Sequence, residues 1–403
     1  MDKPASPAPP ISVHYRLAGE AGDLSTDSAE LSLPFRLTPE KIHPFLTLGD
    51  YFEAIESFLL RDQGSCLTLA LQEKLKRAIG LENISSLLIR SEKHGVLYHI
   101  AGIEMFLNDD PVKLTVSTAL STIAKTCLKR EYVLLQGLGR VHELPYLPAV
   151  FAQGEVPLRA RDKGDSGSGE KALRGNFAMV LSDWFEGFHE WHITPDNAQN
   201  RQQIRLWDPR EERRYLSASE VYQLFKEASK ILTFYYDPAT SRHIYPWHHA
   251  AGDFVVRIRA DTLQVRLVTV RKYASIMDAF STESMNPLIA LVYFFLNLTI
   301  RMRLDRADGV GDTVWIADFA VSAVIEGFFE AITHMVREAT FTLCDQKSLL
   351  SLLRSFAPSE LKLLFQSLYG LYEGGDPEEY AIMKDQLERH ITFLHQALQE
   401  FPG

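Results

Sequence analysis

The stretch SSLLIRSEKHGVLYHIAGIEMFLNDDPVKLTVSTAL, residues 85–120, decides how the rest of the chain is read. Three runs, SSLLIR, GVLYHIAGIEMFL and VKLTVSTAL, are rich in Val, Ile, Leu, Thr and aromatics. Breaks at Glu92–Gly95 and Asn108–Pro111 separate them. Asn and Asp tolerate tight dihedrals and Pro presets one, so Asn108-Asp109-Asp110-Pro111 reads as a turn. Period-two runs between turn signals predict three antiparallel strands. A helix is expected to follow over about Thr122–Leu138, with Leu128, Tyr132 and Leu135 on one side and Gly137 and Gly139 ending it. PYLPAVFAQGEV and NFAMVLSDWF then read as two further strands, separated by the polar, glycine-rich loop RDKGDSGSGEKALRG.

Upstream, residues 1–45 are rich in Pro, Ser and Asp and read as a largely irregular arm. Residues 46–80 read as a helical extension. Phe52, Ile55, Phe58 and Leu59 share one face, and Leu67, Leu71, Leu75 and Ile79 recur every fourth position. Downstream, Trp191 to Arg214 is polar and reads as irregular. Ser217 with Glu220 forms a capping box that opens a helix to about Tyr236. DFVVRI and QVRLVTV, around Asp261-Thr262, read as a β-hairpin, and from Asn286 the pattern is nearly all helical. Asp376-Pro377-Glu378-Glu379 marks another helix start.

The chain has 403 residues, with 42 Lys+Arg against 52 Asp+Glu, hence a net charge of −10. That balance argues against an extended nucleic-acid surface, which needs clustered cations. Cys66, Cys127 and Cys344 are too few and too scattered for a disulfide framework or a CxxC zinc site, and fit a reducing compartment. The longest apolar run, Pro287–Ile300, is shorter than the ~18–20 residues that span a bilayer. No signal core precedes it, so a cytoplasmic protein is expected.

The order of elements resembles the two-lobed protein-kinase-like fold, in particular its aminoglycoside and choline phosphotransferase branch. LKREYVLLQGLGRVHELPYLPAVFAQGE resembles that family's Glu-bearing helix and the strand after it. AMVLSDWFEGF resembles its strand and hinge, and PWHHAAGDFVV stands where its catalytic loop lies. The resemblance implies an α+β chain with a five-stranded antiparallel N-lobe carrying one helix (residues 81–190) and a mainly helical C-lobe with a short hairpin (191–403). It also implies an interlobe cleft for ATP and Mg²⁺. Lys113 takes the phosphate-gripping position, Glu131 its helix partner, and Asp183–Gly187 the hinge beside the cofactor. Asp253 aligns with the family's metal-binding Asn, and His248 with its catalytic Asp.

The departures are as informative. The second metal-binding Asp has Thr269 or Val270 in its place, and SEKHG replaces a glycine-rich phosphate loop. Phosphoryl transfer is largely positioning and charge neutralisation, so these losses predict degraded, pseudokinase-like machinery that binds a nucleotide or another small ligand. The alternative within the family is an active, atypical small-molecule phosphotransferase with His248 as base. Two others lie outside it. His189, His192, His243, His248 and His249 fall within one stretch and suggest a metal-dependent enzyme, against hydrogen-bonded loop histidines. The helical C-terminal third suggests an interaction scaffold for a protein partner. Trp184, Trp191 and Trp247 line a cleft or fill a core. RMRLDRADG reads as a solvated helix end, its cations balanced by Asp305 and Asp308. GDSGSG (164–169) lacks the GK[ST] of a phosphate cradle.

Overall fold

The computed structural model describes residues 11–18, 24–25, 28–37, 41–95, 97–107, 110–159, 173–196, 201–207, 214–260, 262–280 and 286–403. The N-terminal tail, the glycine-rich loop up to residue 172, and parts of the turns at 108–111 and 261–262 lie outside them. The architecture is α+β. The chain divides into two compact units, Met1–Gly139 with Pro148–Glu186, and Arg140–Leu147 with Gly187–Gly403.

The first unit is built on a seven-stranded sheet. Its order is Leu24–Ser25, Ser12–Leu17, Ser86–His94, His99–Leu107, Asp110–Ala119, Leu173–Asp183, Val150–Arg159. The three expected strands are neighbours, paired antiparallel through Ile89↔Ile103 and Ile103↔Leu114. The two later strands complete that block. The sheet is larger than the five antiparallel strands expected, because the arm contributes Ser12–Leu17, which pairs parallel with Ser86–His94 from Ser12↔Ser86 to Leu17↔Ser91. Its inward residues, Val13, Tyr15 and Leu17, alternate over only six positions inside a Pro- and Ser-rich context that masks them.

One sheet face packs on the helix Leu48–Leu75, opened by a Thr47–Asp50 capping box and interrupted at Arg61–Gly64, where the backbone leaves helical geometry. Phe52, Ile55, Phe58, Leu59, Leu67 and Leu71 are fully buried there with Ile89, Leu114 and Leu181. Each such side chain contributes about 1.5–3 kcal/mol, so the helical extension and the sheet form one core. The helix Thr122–His142 runs past both glycines that were expected to end it. Neither has any atom within 4 Å of an added Cβ, so both lie on an open face. An exposed Gly costs a helix only about 1 kcal/mol relative to Ala, less than the packing of Leu128, Leu135 and Leu138 returns.

In the second unit, the helix Ala218–Phe234 has the predicted Ser217–Glu220 box. It lies along Phe319–Arg337, held by Lys226–Glu326 at 2.6 Å, Lys226–Glu330 at 2.8 Å and Ser229 Oγ donating to Val324 O at 2.8 Å. Phe319–Arg337 is the one helix among the described residues long and apolar enough to cross a membrane, and most of that stretch is buried inside the protein. Pro287–Arg301 is shorter and buried from Ala290 onward. The helix Pro377–Glu400 starts at Asp376 as expected.

Two expectations are corrected here. Trp191–Arg214 is not irregular: Glu190–Asp196 and Arg201–Trp207 form an antiparallel ribbon, with Trp191, Ile193, Ile204 and Leu206 buried and their neighbours turned outward. Its outward residues are so polar that the segment's average hides the period. RMRLDRADG is not a solvated helix end either. Arg301, Arg303 and Asp305 are all buried, and Leu304–Arg306 pairs with Thr313–Trp315 in a short ribbon.

Candidate functional site

The richest arrangement of polar groups is the loop between the Arg242–Ile244 strand and the ribbon Phe254–Arg259/Thr262–Leu267. Residues His249–Asp253 form a single wide turn. Gly252 sits at φ 87°, a left-handed conformation that glycine adopts without steric cost. The turn closes on itself: Asp253 Oδ2 accepts the His248 N–H at 2.7 Å. Arg271 then grips both Asp253 oxygens, with Nη2 at 2.5 Å from Oδ1 and Nη1 against Oδ2. Asp253 is buried, at 3% exposure, and an ionised carboxylate is tolerated there because a forked guanidinium and an amide satisfy it.

His248 faces a second buried pair. Arg301 and Glu379 are 3% and 7% exposed. Arg301 Nη2 is 3.2 Å from Glu379 Oε1 and Nη1 binds Oε2. The same Nη2 lies 3.1 Å from His248 Nδ1 and 3.3 Å from Trp247 O. Burial first, and the Arg301 charge second, pull the His248 imidazole below its ordinary acidity range, against the opposing pull of Asp253, Asp305 and Glu379. The ring is therefore neutral at neutral pH. His249, next in sequence, points into the core instead. It is fully buried, its Nδ1 is 3.0 Å from Asp305 Oδ2, and Trp191 and Phe225 flank it at 5.6 and 5.2 Å.

His248 and Asp253 are thus brought together, through backbone and side chain. Lys113 and Glu131 are not paired: the Lys113 ion pairs are with Glu186 at 3.2 Å and with its cross-strand neighbour Glu104 at 3.7 Å. Glu131 is buried on the helix Thr122–His142. Asp183 ends its strand, donates its N–H to Ala149 O at 2.8 Å and pairs with Lys74. Lys74 comes from the helical extension, which the kinase resemblance does not cover.

The Asp253 site does not fit Mg²⁺. Both carboxylate oxygens are held by a cation, and Thr269 and Val270, where the kinase resemblance would put a second carboxylate, bring none. Among the described residues no group of three or more His, Cys, Asp or Glu has metal-binding geometry. His243 is fully buried, its pKa pushed down to about 4 by desolvation, and His192 packs edge-on against Trp207. Trp191 and Trp247 are core residues, each 1% exposed.

Three site residues escape a reading from sequence. Arg271 sits in VRKY, beside the expected metal position, where charge compensation of Asp253 was a findable signal. Arg301 and Glu379 are far apart in sequence, and only folding joins them. No protein-family model matches the chain, and no curated protein matches it.

Proposed function

We propose that this chain is a kinase-like protein whose phosphotransfer machinery has been replaced by a ligand-holding loop, in a cytoplasmic setting. The observation that carries this is the double grip of Arg271 on Asp253. A metal site needs free carboxylate oxygens, and here a guanidinium supplies the countercharge that Mg²⁺ would bring. The order of elements within each unit also supports it. Three strands, a helix and two strands occur in the first, and a helix, a closed loop, a two-stranded ribbon and further helices in the second.

His248 does not make up for the loss. Its Nδ1 faces a guanidinium that cannot give up its proton, so the lone pair there is engaged and no free base points at a substrate hydroxyl. ATP binding remains part of the proposal as a nucleotide held without turnover.

Purified full-length protein, given ATP and Mg²⁺ with amino-sugars, choline-like alcohols and sugars, is expected to show no substrate-dependent ATP turnover. Any stabilisation by nucleotide should grow with ligand concentration and should not need Mg²⁺. Turnover that His248→Ala abolishes would overturn the proposal in favour of an active phosphotransferase.

A further inference from the structure

We infer that Arg61 closes the free edge of the seven-stranded sheet against a second copy of this chain, and that the break in the helix Leu48–Leu75 presents it there. All the residues involved belong to the first unit, whereas the proposed function rests on the loop His248–Asp253 of the second.

The two end strands of the sheet are Leu24–Ser25 and Val150–Arg159. The first is two residues long, too short to template another strand. The second is ten residues long and has no strand on its outer side among the described residues. Gln153, Glu155 and Pro157 are exposed along it. A groove of about 400 Å³ runs beside it, lined by Leu128 and Val133 of the helix Thr122–His142 and by Ala178 and Val180 of the next strand. Val133 is 62% exposed. A long edge next to exposed apolar side chains is a template for pairing with a like edge.

The edge is blunted along its length. Register shifts at Val150/Ala152 and Pro157/Arg159 leave a regular ladder only over Ala152–Pro157. Pro157 has no N–H to give a ladder, so it takes an outward position. Gln153 lies four residues before it in the same register, and its backbone groups face the same outer side. Arg61 sits there. Its Nη2 donates to Gln153 O at 3.2 Å, and its guanidinium stands 4.8 Å from the Phe58 ring centre. It also occupies the place a side chain on Gly154 would take, since a Cβ there would overlap both Nη1 and Nη2. The helix break supplies the reach. Arg61 is extended, at φ −58° and ψ 155°, which turns it out of the helical path. Asp62 and Gln63 follow at φ 50° and 56°, a left-handed backbone that non-glycine residues adopt only at a cost.

The test is sedimentation velocity of the full-length chain over a range of concentrations. Arg61→Ala removes the guard. Gly154→Ala keeps Arg61 in the chain but fills its seat, and the end of a flexible side chain swings away. Each variant should gain a species of about twice the parent's mass that grows with concentration, because two like edges pair and close on a two-fold axis. Adding Gln153→Pro to either variant takes an outward N–H from the edge and should return the parent's profile. Arg61→Ala combined with Gly154→Ala should associate no more than either alone, since both act on one contact. Should Arg61→Ala not fold, Gly154→Ala decides alone. A folded variant of either kind that keeps the parent's profile, or association that Gln153→Pro leaves unchanged, overturns the inference.

Discussion

Glu379→Ala is expected to cost about 3–5 kcal/mol of folding stability, the range for removing one partner of a buried ion pair. Arg301 is almost wholly buried, and its charge is held there by the Glu379 carboxylate, with Trp247 O and His248 Nδ1 as lesser acceptors. Remove Glu379 and the guanidinium keeps its charge but loses the carboxylate that pairs with it. Burial opposes that charge, and Glu379 is the principal influence favouring it. The penalty is the stranded charge and not the worth of the pair, so the double replacement by methionine should be much milder than Glu379→Ala. Chemical denaturation of the single and double variants measures both. Lys362→Ala is the control: its pair with Glu388 is solvent-exposed, and no measurable change is expected. A Glu379→Ala protein as stable as the parent would mean the pair is not buried.

Gly327→Ala should destabilise the protein by about 3 kcal/mol, the upper part of the range for forced overpacking. An added Cβ would sit 2.1 Å from Lys226 O and 3.0 Å from Lys226 C, both backbone atoms of the facing helix, which cannot step aside as a side chain does. Alanine is the better helix former by about 1 kcal/mol, so propensity and packing pull in opposite directions. Here the clash wins, because Lys226, Ser229 and Lys230 tie the two helices along the same edge. Gly137→Ala isolates the other effect. It is helical with open space around it, and should stabilise by up to about 1 kcal/mol. Opposite signs for these two Gly→Ala changes, read as shifts in denaturation midpoint, are the expected result.

Period and capping chemistry carried much of the fold in the sequence. The strand His99–Leu107 alternates cleanly, with every other residue buried, and most of Asp110–Ala119 follows the same period. The Ser217–Glu220 and Asp376 starts are local, so the residues that make them are adjacent in the chain. What escaped was non-local. Ser12–Leu17 alternates with period two over only six residues, and its place in the sheet comes from the edge that Ser86–His94 offers it. Arg301 and Arg303 look like solvated cations until Glu379 and Asp318 arrive from later helices. Within the site, the closeness of His248 to Asp253 followed from one short loop. Its meaning changed because Arg271, eighteen residues on, fills the place where a metal was expected. Lys113 likewise reads as a phosphate grip in sequence, whereas its cross-strand neighbour Glu104 and Glu186 hold it in the fold.

The central claim is that the Asp253 carboxylate is closed to metal by Arg271. The most direct measurement is a Mn²⁺ titration of the ¹⁵N-labelled chain, with and without ATP, following paramagnetic broadening of the His248 and Asp253 amides. Both signals should keep their widths through millimolar Mn²⁺ and broaden only in step with the exposed surface. Selective loss of these two amides at low Mn²⁺, restored by chelation, would contradict the claim and return Asp253 to the role of a metal ligand.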